Sequence, residues 1–245
     1  MRTPTPTTTP QNKPLETRRG WIRFPDDNSP HPTRIVRWTY LTYAAIILAW
    51  IAAWILKLQL DLLSPWIETG AGSFFYWISA KILIWILPAL GLIRFAGRRL
   101  GQVLNFPNYK KWLLWGFGVG LAIALTGFIP SYLRGEPIFP MELSFALLNV
   151  LIIAPIFEEF LMRGAFLGNL EFGHNFWIAN IITSFLFIGL HLPGWYFLGS
   201  LVENLLKPVG GVLSIFLISL AFGYAAKRGD SVIGAMIAHL LNNLS

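Results

Sequence analysis

The chain contains no cysteine and little charge. Without cysteine there is no disulfide, no thiolate metal site and no thiol nucleophile. Charged residues occupy 13% of the 245 positions, against about 25% in a soluble globular domain. Acidic residues are the scarcer sign, 12 against 19 Lys and Arg, which leaves a net charge of +7. Such an excess could suggest a nucleic-acid partner, but its distribution along the chain fits membrane orientation instead, so none is expected. The chain has no internal repeat and no His-Glu-x-x-His motif of helical zinc peptidases. Apolar mass dominates: 55% of residues are hydrophobic, including 11 Trp and 19 Phe. This is the composition of a chain that meets lipid, with rings such as Trp50, Trp54, Trp85 and Trp115 expected at lipid or interface contacts.

Residues 1–38 read as a disordered basic tail. Thr and Pro fill Thr3 to Pro10, a composition with no core to bury. Arg18-Arg19 is not followed closely by a signal-like apolar region, so a solvated tail is the better reading than an export signal. Seven apolar segments follow, over Thr39–Leu56, Phe74–Ile93, Trp112–Ile129, Leu143–Leu170, Phe176–His191, Val209–Ala226 and Val232–Leu244. Most approach the roughly 20 residues that cross a hydrocarbon core. The fold class expected is all-α, a polytopic membrane bundle of about seven transmembrane helices. Residues 39–142 supply the N-terminal helices and 143–245 a catalytic core.

The connections alternate in charge. The tail holds seven Lys or Arg; Arg94, Arg98, Arg99, Lys110 and Lys111 share one connection without an acid; Lys227 and Arg228 share another. The remaining connections pair their few cations with acids, as in Lys57 with Asp61 and Glu68, or Lys207 with Glu203. By the positive-inside rule this places the N-terminus in the cytoplasm and, with seven crossings, the C-terminus on the opposite side.

Against that background three polar clusters stand out. Two carboxylates and an arginine interrupt the fourth segment in Glu158-Glu159-Phe160-Leu161-Met162-Arg163. A charge at the bilayer centre costs about 2.5–3.5 kcal/mol on insertion scales, so ionisable groups there call for a function. On a helix Glu159 and Arg163 are i and i+4, acid first, the better order for an ion pair. Glu158 lies about 100° round and is left to face whatever stands opposite, a position that suits a general base. Phe187 and His191 share one face of the fifth segment at i and i+4, and His239 and Asn243 do so in the seventh. Counted from the connection near Gly173, Glu158 lies about 22 Å and His191 about 27 Å along their helices. His239 lies about 15 Å in from Gly229, so the three clusters can meet at comparable depth. Lys81 has the plainer reading of a cation that snorkels or lines a cavity, and His31 and His174 that of solvated loop residues.

The ordered set Glu-Glu-x-x-x-Arg, Phe-x-x-x-His and His-x-x-x-Asn, with Gly164 after Arg163, resembles the CPBP family of intramembrane proteases. That family includes the type II CAAX prenyl endopeptidases and the Abi self-immunity proteins. The likeness covers residues 143–245. It implies an endopeptidase in which Glu158 and His191 activate a water, His239 and Asn243 stabilise the oxyanion, and Glu159, Arg163 and Phe187 support the site. It also implies a peptide or protein substrate, lipidated or membrane-bound. The residues alone leave zinc open, since Glu158, His191 and His239 plus a water would make a catalytic zinc set. The resemblance favours a reaction without metal or other cofactor. A non-proteolytic immunity or scaffold protein of the same fold is the alternative; a transporter using the buried acids as proton carriers is the third reading.

Overall fold

A computed structural model describes residues 30–135 and 142–244. The described residues form helices and turns with no strand. Six helices are long and apolar enough to cross a membrane. We label them α1 (Pro32–Leu63), α2 (Gly70–Phe95), α3 (Tyr109–Leu133), α4 (Phe145–Leu170), α5 (Phe176–Phe197) and α6 (Val212–Gly229). A seventh, α7 (Val232–Asn242), is apolar but only 11 residues long. It rises about 16 Å, half of a roughly 30 Å hydrocarbon core. The bundle thus has about seven helices, as expected, and the seventh is of half length.

The first helix starts earlier than its hydropathy suggests. His31 caps it through Nδ1 and Pro32 occupies its first turn, where a missing N–H costs nothing. Residues 32–38 are thus helical rather than tail. Ile35 explains why: it is fully buried against Leu167, Leu170, Phe172 and Ala179. The disorder expected of residues 1–29 lies outside the described residues.

Two of the helices are widened by prolines. In α2 a π-helical turn over Ile82–Ile86 precedes Pro88; in α4 another over Asn149–Ile153 precedes Pro155. Proline donates no hydrogen bond and its ring collides with the carbonyl four residues back. Opening the turn to i→i−5 bonding relieves that collision, and the cap bonds Leu87 N–H to Ile82 O and Ala154 N–H to Asn149 O have that spacing. A third π-helical stretch, Phe160–Leu167, follows Glu159 directly and is buried at every residue.

One interior joins the helices. Ile46, Trp50 and Ala53 of α1 meet Trp85, Ala89 and Leu92 of α2, Phe160 to Phe166 of α4, Phe187 of α5 and Val232 of α7. Trp50 and Trp85 are core residues rather than lipid contacts. Their rings pack with centroids 4.6 Å apart, and Trp77 joins them at 5.1 Å from Trp50. α7 is wedged against α3, α4 and α6. The α3–α7 seam is close because it is built on glycine: a Cβ on Gly116 would stand 2.9 Å from the Gly234 carbonyl, and one on Gly120 2.9 Å from Ala238 Cα. Small residues at such seams let helices approach where the hydrophobic effect does not drive association.

Candidate active site

The centre of the interior is the Glu159–Arg163 pair. Both residues are fully buried. Arg163 Nη1 donates to Glu159 Oε1 at 3.0 Å and lies 3.0 Å from Oε2. Its Nη2 donates to both the carbonyl oxygen and the hydroxyl of Ser219 on α6, each at 2.6 Å. The guanidinium sits 4.9 Å from the Phe187 ring centroid and 5.6 Å from that of Phe222. Cation–π contact of this kind is strongest where water is excluded. A charged pair at this depth is held by the bonds of Glu159 Oε1 and of both Arg163 Nη groups, while Arg163 Nε and Glu159 Oε2 are buried without a hydrogen-bond partner among the described residues.

His239 completes the cluster from α7. Its Nδ1 lies 2.8 Å from Glu159 Oε1, and since a carboxylate only accepts, Nδ1 carries the proton. The imidazole stacks on Phe222 at 4.6 Å and meets Phe187 edge-on at 6.1 Å. From sequence, His239 shares a face with Asn243; in the fold its polar partner is Glu159.

Asn243 faces a different neighbour. Its Nδ2 donates to the Val150 carbonyl at 2.8 Å, and its Oδ1 accepts from Asn242 at 3.0 Å. Val150 lies five residues before Pro155, the position whose N–H the π-turn would otherwise bring to it. The amide thus serves a carbonyl that proline leaves short of a donor. The Nδ2 group has a second hydrogen, which remains for another acceptor.

His191 is half-buried on α5. Its Nδ1 lies 2.8 Å from the Phe187 carbonyl, which accepts only, so Nδ1 is protonated and Nε2 presents a lone pair. The ring packs edge-to-face on Phe187 at 4.8 Å. Phe187 therefore touches His191, His239 and Arg163 at once. Glu158 is half-buried. Among the described residues it forms no hydrogen bond, to His191 or any other group. Its charge acts on Arg163 and on Lys81 of α2.

The residues that hold this site from behind were not legible as such in the sequence. Arg98, counted there among connection charges, is buried, with only 6% of its surface exposed. Its Nη1 donates to the Gly164 carbonyl at 2.8 Å and to Asn169 Oδ1 at 3.2 Å, while Asn169 Nδ2 donates to the Leu92 carbonyl at 3.2 Å. Burial pushes the Arg98 guanidinium down to about 10, against the nearby Glu171 carboxylate, which raises it; it remains charged at neutral pH. Gly168 is required there, since a Cβ would stand 2.2 Å from Arg98 Nη1. Lys227 pairs with Glu171 at 2.6 Å alongside. Ser219 and Phe222 carry no motif signal. A serine inside the apolar run of α6 is the only hint.

Among the described residues no group of three His, Cys, Asp or Glu side chains is arranged to hold a metal ion. Residues 140–245 match a protein-family model described as Type II CAAX prenyl endopeptidase Rce1-like. The match supports the resemblance to the CPBP family carried by the three motifs. No curated protein and no solved structure matches the chain.

Proposed function

We propose that this multi-pass membrane protein is an intramembrane endopeptidase of the CAAX-protease type. The observation that carries the reading is the meeting of Glu159, Arg163, His239, Phe187 and His191 in one apolar interior, on the segment that matches the peptidase family. Ion pairs in lipid-facing helices are rare and costly, and a pair held by three further helices is the kind of frame a reaction site needs.

In the proposed reaction Glu158 accepts a proton from water, with His191 Nε2 as second acceptor, while the water oxygen bonds to the scissile carbonyl carbon. The carbonyl becomes an oxyanion. His239, whose Nδ1–H is held by Glu159, offers Nε2–H in its imidazolium form, and Asn243 offers its second amide hydrogen. The C–N bond then breaks and the proton held by Glu158 passes to the leaving amine. Glu159 and Arg163 fix the frame. No step needs a metal or other cofactor. The substrate class is a peptide segment presented at the membrane, with prenylated C-terminal peptides the first to test. The end bearing Arg94, Arg98, Arg99, Lys227 and Arg228 faces the cytoplasm, and so does the N-terminus.

The test compares purified wild type with Glu158→Gln, first on prenylated and leader peptides, then by mapping protein termini in membranes carrying either form. Loss of cleavage and accumulation of uncleaved termini with Glu158→Gln supports the reading. Cleavage by Glu158→Gln at the wild-type rate removes Glu158 from its role. Complementation by Glu158→Gln in a strain lacking the protein would favour a scaffold.

A further inference from the structure

The first turns of α1 and the turn between α4 and α5 border a groove of about 450 Å³. Thr33, Val36, Arg37, Tyr40 and Leu41 line one side, at i, i+3, i+4, i+7 and i+8 of α1. Gly173 and His174 of the turn line the other. No motif includes these residues, and none of them takes part in the polar cluster around Glu159.

Local structure sets the shape of the groove. Ile35 and Thr39, on another face of α1, are fully buried, which fixes the rotation of the helix. Gly173 lets the turn lie against α1, since a Cβ there would stand 2.9 Å from Val36 Cγ2. The His174 N–H donates to the Leu170 carbonyl at 3.0 Å, and Asn175 Oδ1 accepts from the Ile178 N–H at 3.1 Å. His174 is thus held between a closed turn and a helix cap. Depth sorts the lining along α1. A bilayer about 40–45 Å thick has a hydrocarbon core of about 30 Å, so each headgroup layer takes roughly 5–8 Å. Arg37 stands about 8 Å of helix in from Pro32, at the inner edge of that layer, and Leu41 about 6 Å deeper.

The neighbouring charges are engaged elsewhere. The Arg34 guanidinium lies 5.8 Å from the Phe95 ring centroid, and His31 Nδ1 caps α1 and meets Thr33 Oγ1 at 2.9 Å. Glu171, at the start of the turn, pairs with Lys227. Arg37 is exposed, and among the described residues it has no hydrogen bond, ion pair or ring contact. No acid lines the groove among those residues.

We infer that this groove binds an anionic phospholipid, with its phosphate between Arg37 and His174 and an acyl chain running past Leu41 along α1. A guanidinium offers parallel N–H donors to two phosphate oxygens, and the imidazole and the Tyr40 hydroxyl add further donors. A zwitterionic lipid brings its own cation against Arg37; an anionic lipid does not, and basic pockets between membrane helices select it for that reason. A free phosphate would use the arginine and leave Val36 and Leu41 idle, so the apolar wall favours an amphiphile. Bound there, the lipid ties α1 to the turn that closes α4, the helix carrying Glu158 to Arg163. The inference needs only the membrane-spanning fold and stands apart from the peptidase reading.

The test is lipid retention by the full-length protein. Wild type purified in neutral detergent is mixed with equal amounts of phosphatidylglycerol and phosphatidylcholine, and the lipid that stays bound is read by native mass spectrometry. Phosphatidylglycerol should be retained about fivefold or more over phosphatidylcholine. Arg37→Gln should remove most of that preference, Arg37→Lys should keep part of it, and His174→Gln should lower it by a smaller factor. Arg34→Gln is the control, an exposed cation at the same end but outside the groove, and it should leave the preference unchanged. Equal retention of the two lipids by wild type overturns the proposal, as does an unchanged preference in both Arg37→Gln and His174→Gln. An equal loss in Arg34→Gln and Arg37→Gln would trace the preference to diffuse surface charge and overturn it too. Displacement of phosphatidylglycerol by excess inorganic phosphate would make this a free-anion site. A lipid-free dimer that Arg37→Gln converts to monomer would put a second copy of the chain in the groove. Arg37 and His174 are tested separately, so failure of one variant to fold leaves the other to decide.

Discussion

Glu159 and His239 stand 80 positions apart in the chain and share a hydrogen bond of 2.8 Å in the middle of the bundle. The bond joins α4 to α7, and with Arg163 on Ser219 it draws in α6. Removing the imidazole strips one acceptor site of Glu159 of its donor. His239→Ala is expected to cost about 1–3 kcal/mol of stability in thermal unfolding of the detergent-solubilised protein and to abolish cleavage. His239→Asn, which keeps a donor near the Nδ1 position, should recover part of the stability and none of the cleavage.

Arg163→Ala leaves the Glu159 carboxylate buried with only His239 beside it. Breaking one side of a buried pair costs about 3–5 kcal/mol, so the variant should unfold at markedly lower temperature or fail to accumulate in membranes. Pairing it with Glu159→Gln removes the orphaned charge. The double variant should then be more stable than Arg163→Ala alone, as a double-mutant cycle would read directly.

Asn243 and Pro155 should be coupled through Val150. Asn243→Ala is expected to cost about 1 kcal/mol and to weaken cleavage, because the Val150 carbonyl loses its side-chain donor. Pro155→Ala restores a backbone N–H to that turn. In a Pro155→Ala background the stability cost of Asn243→Ala should shrink, measured by the same unfolding assay.

Gly189 sits between Phe187 and His191 because α1 comes very close there. A Cβ on Gly189 would stand 1.9 Å from Tyr43 Oη, which donates to the Leu186 carbonyl at 2.9 Å. Gly189→Ala should therefore destabilise by about 1–3 kcal/mol, in the range of overpacked cores. Tyr43→Phe removes the obstructing hydroxyl, so Gly189→Ala should cost less on that background. Equal cost on both would show that the contact is not what limits the position.

Chelation distinguishes the proposed reaction from zinc catalysis. Cleavage by the wild type should survive prolonged treatment with EDTA or phenanthroline at an unchanged rate. Loss on chelation and recovery with added zinc would replace the Glu158 base with a metal-bound water.

Membrane class, helical fold and the run of long apolar segments follow from the sequence alone, because a bilayer demands about 20 apolar residues per crossing and leaves that demand written locally. The Glu159–Arg163 contact was legible for the same reason: it spans four residues of one helix, and local geometry sets it. Where each helix ends was less so. Pro32–Arg37 carries two arginines yet folds as helix, since Ile35 buries against α4 and α5.

What the tertiary structure decided is who answers whom across helices. His239 turns to Glu159, Asn243 serves Val150, and Arg98 leaves the connection to brace Gly164 and Asn169. None of these pairings has a sequence period, because each depends on which faces of separate helices pack together. That in turn depends on glycine seams and on turns widened by Pro88 and Pro155. A polar residue in an apolar run announces that it needs a partner; only the packed bundle names the partner.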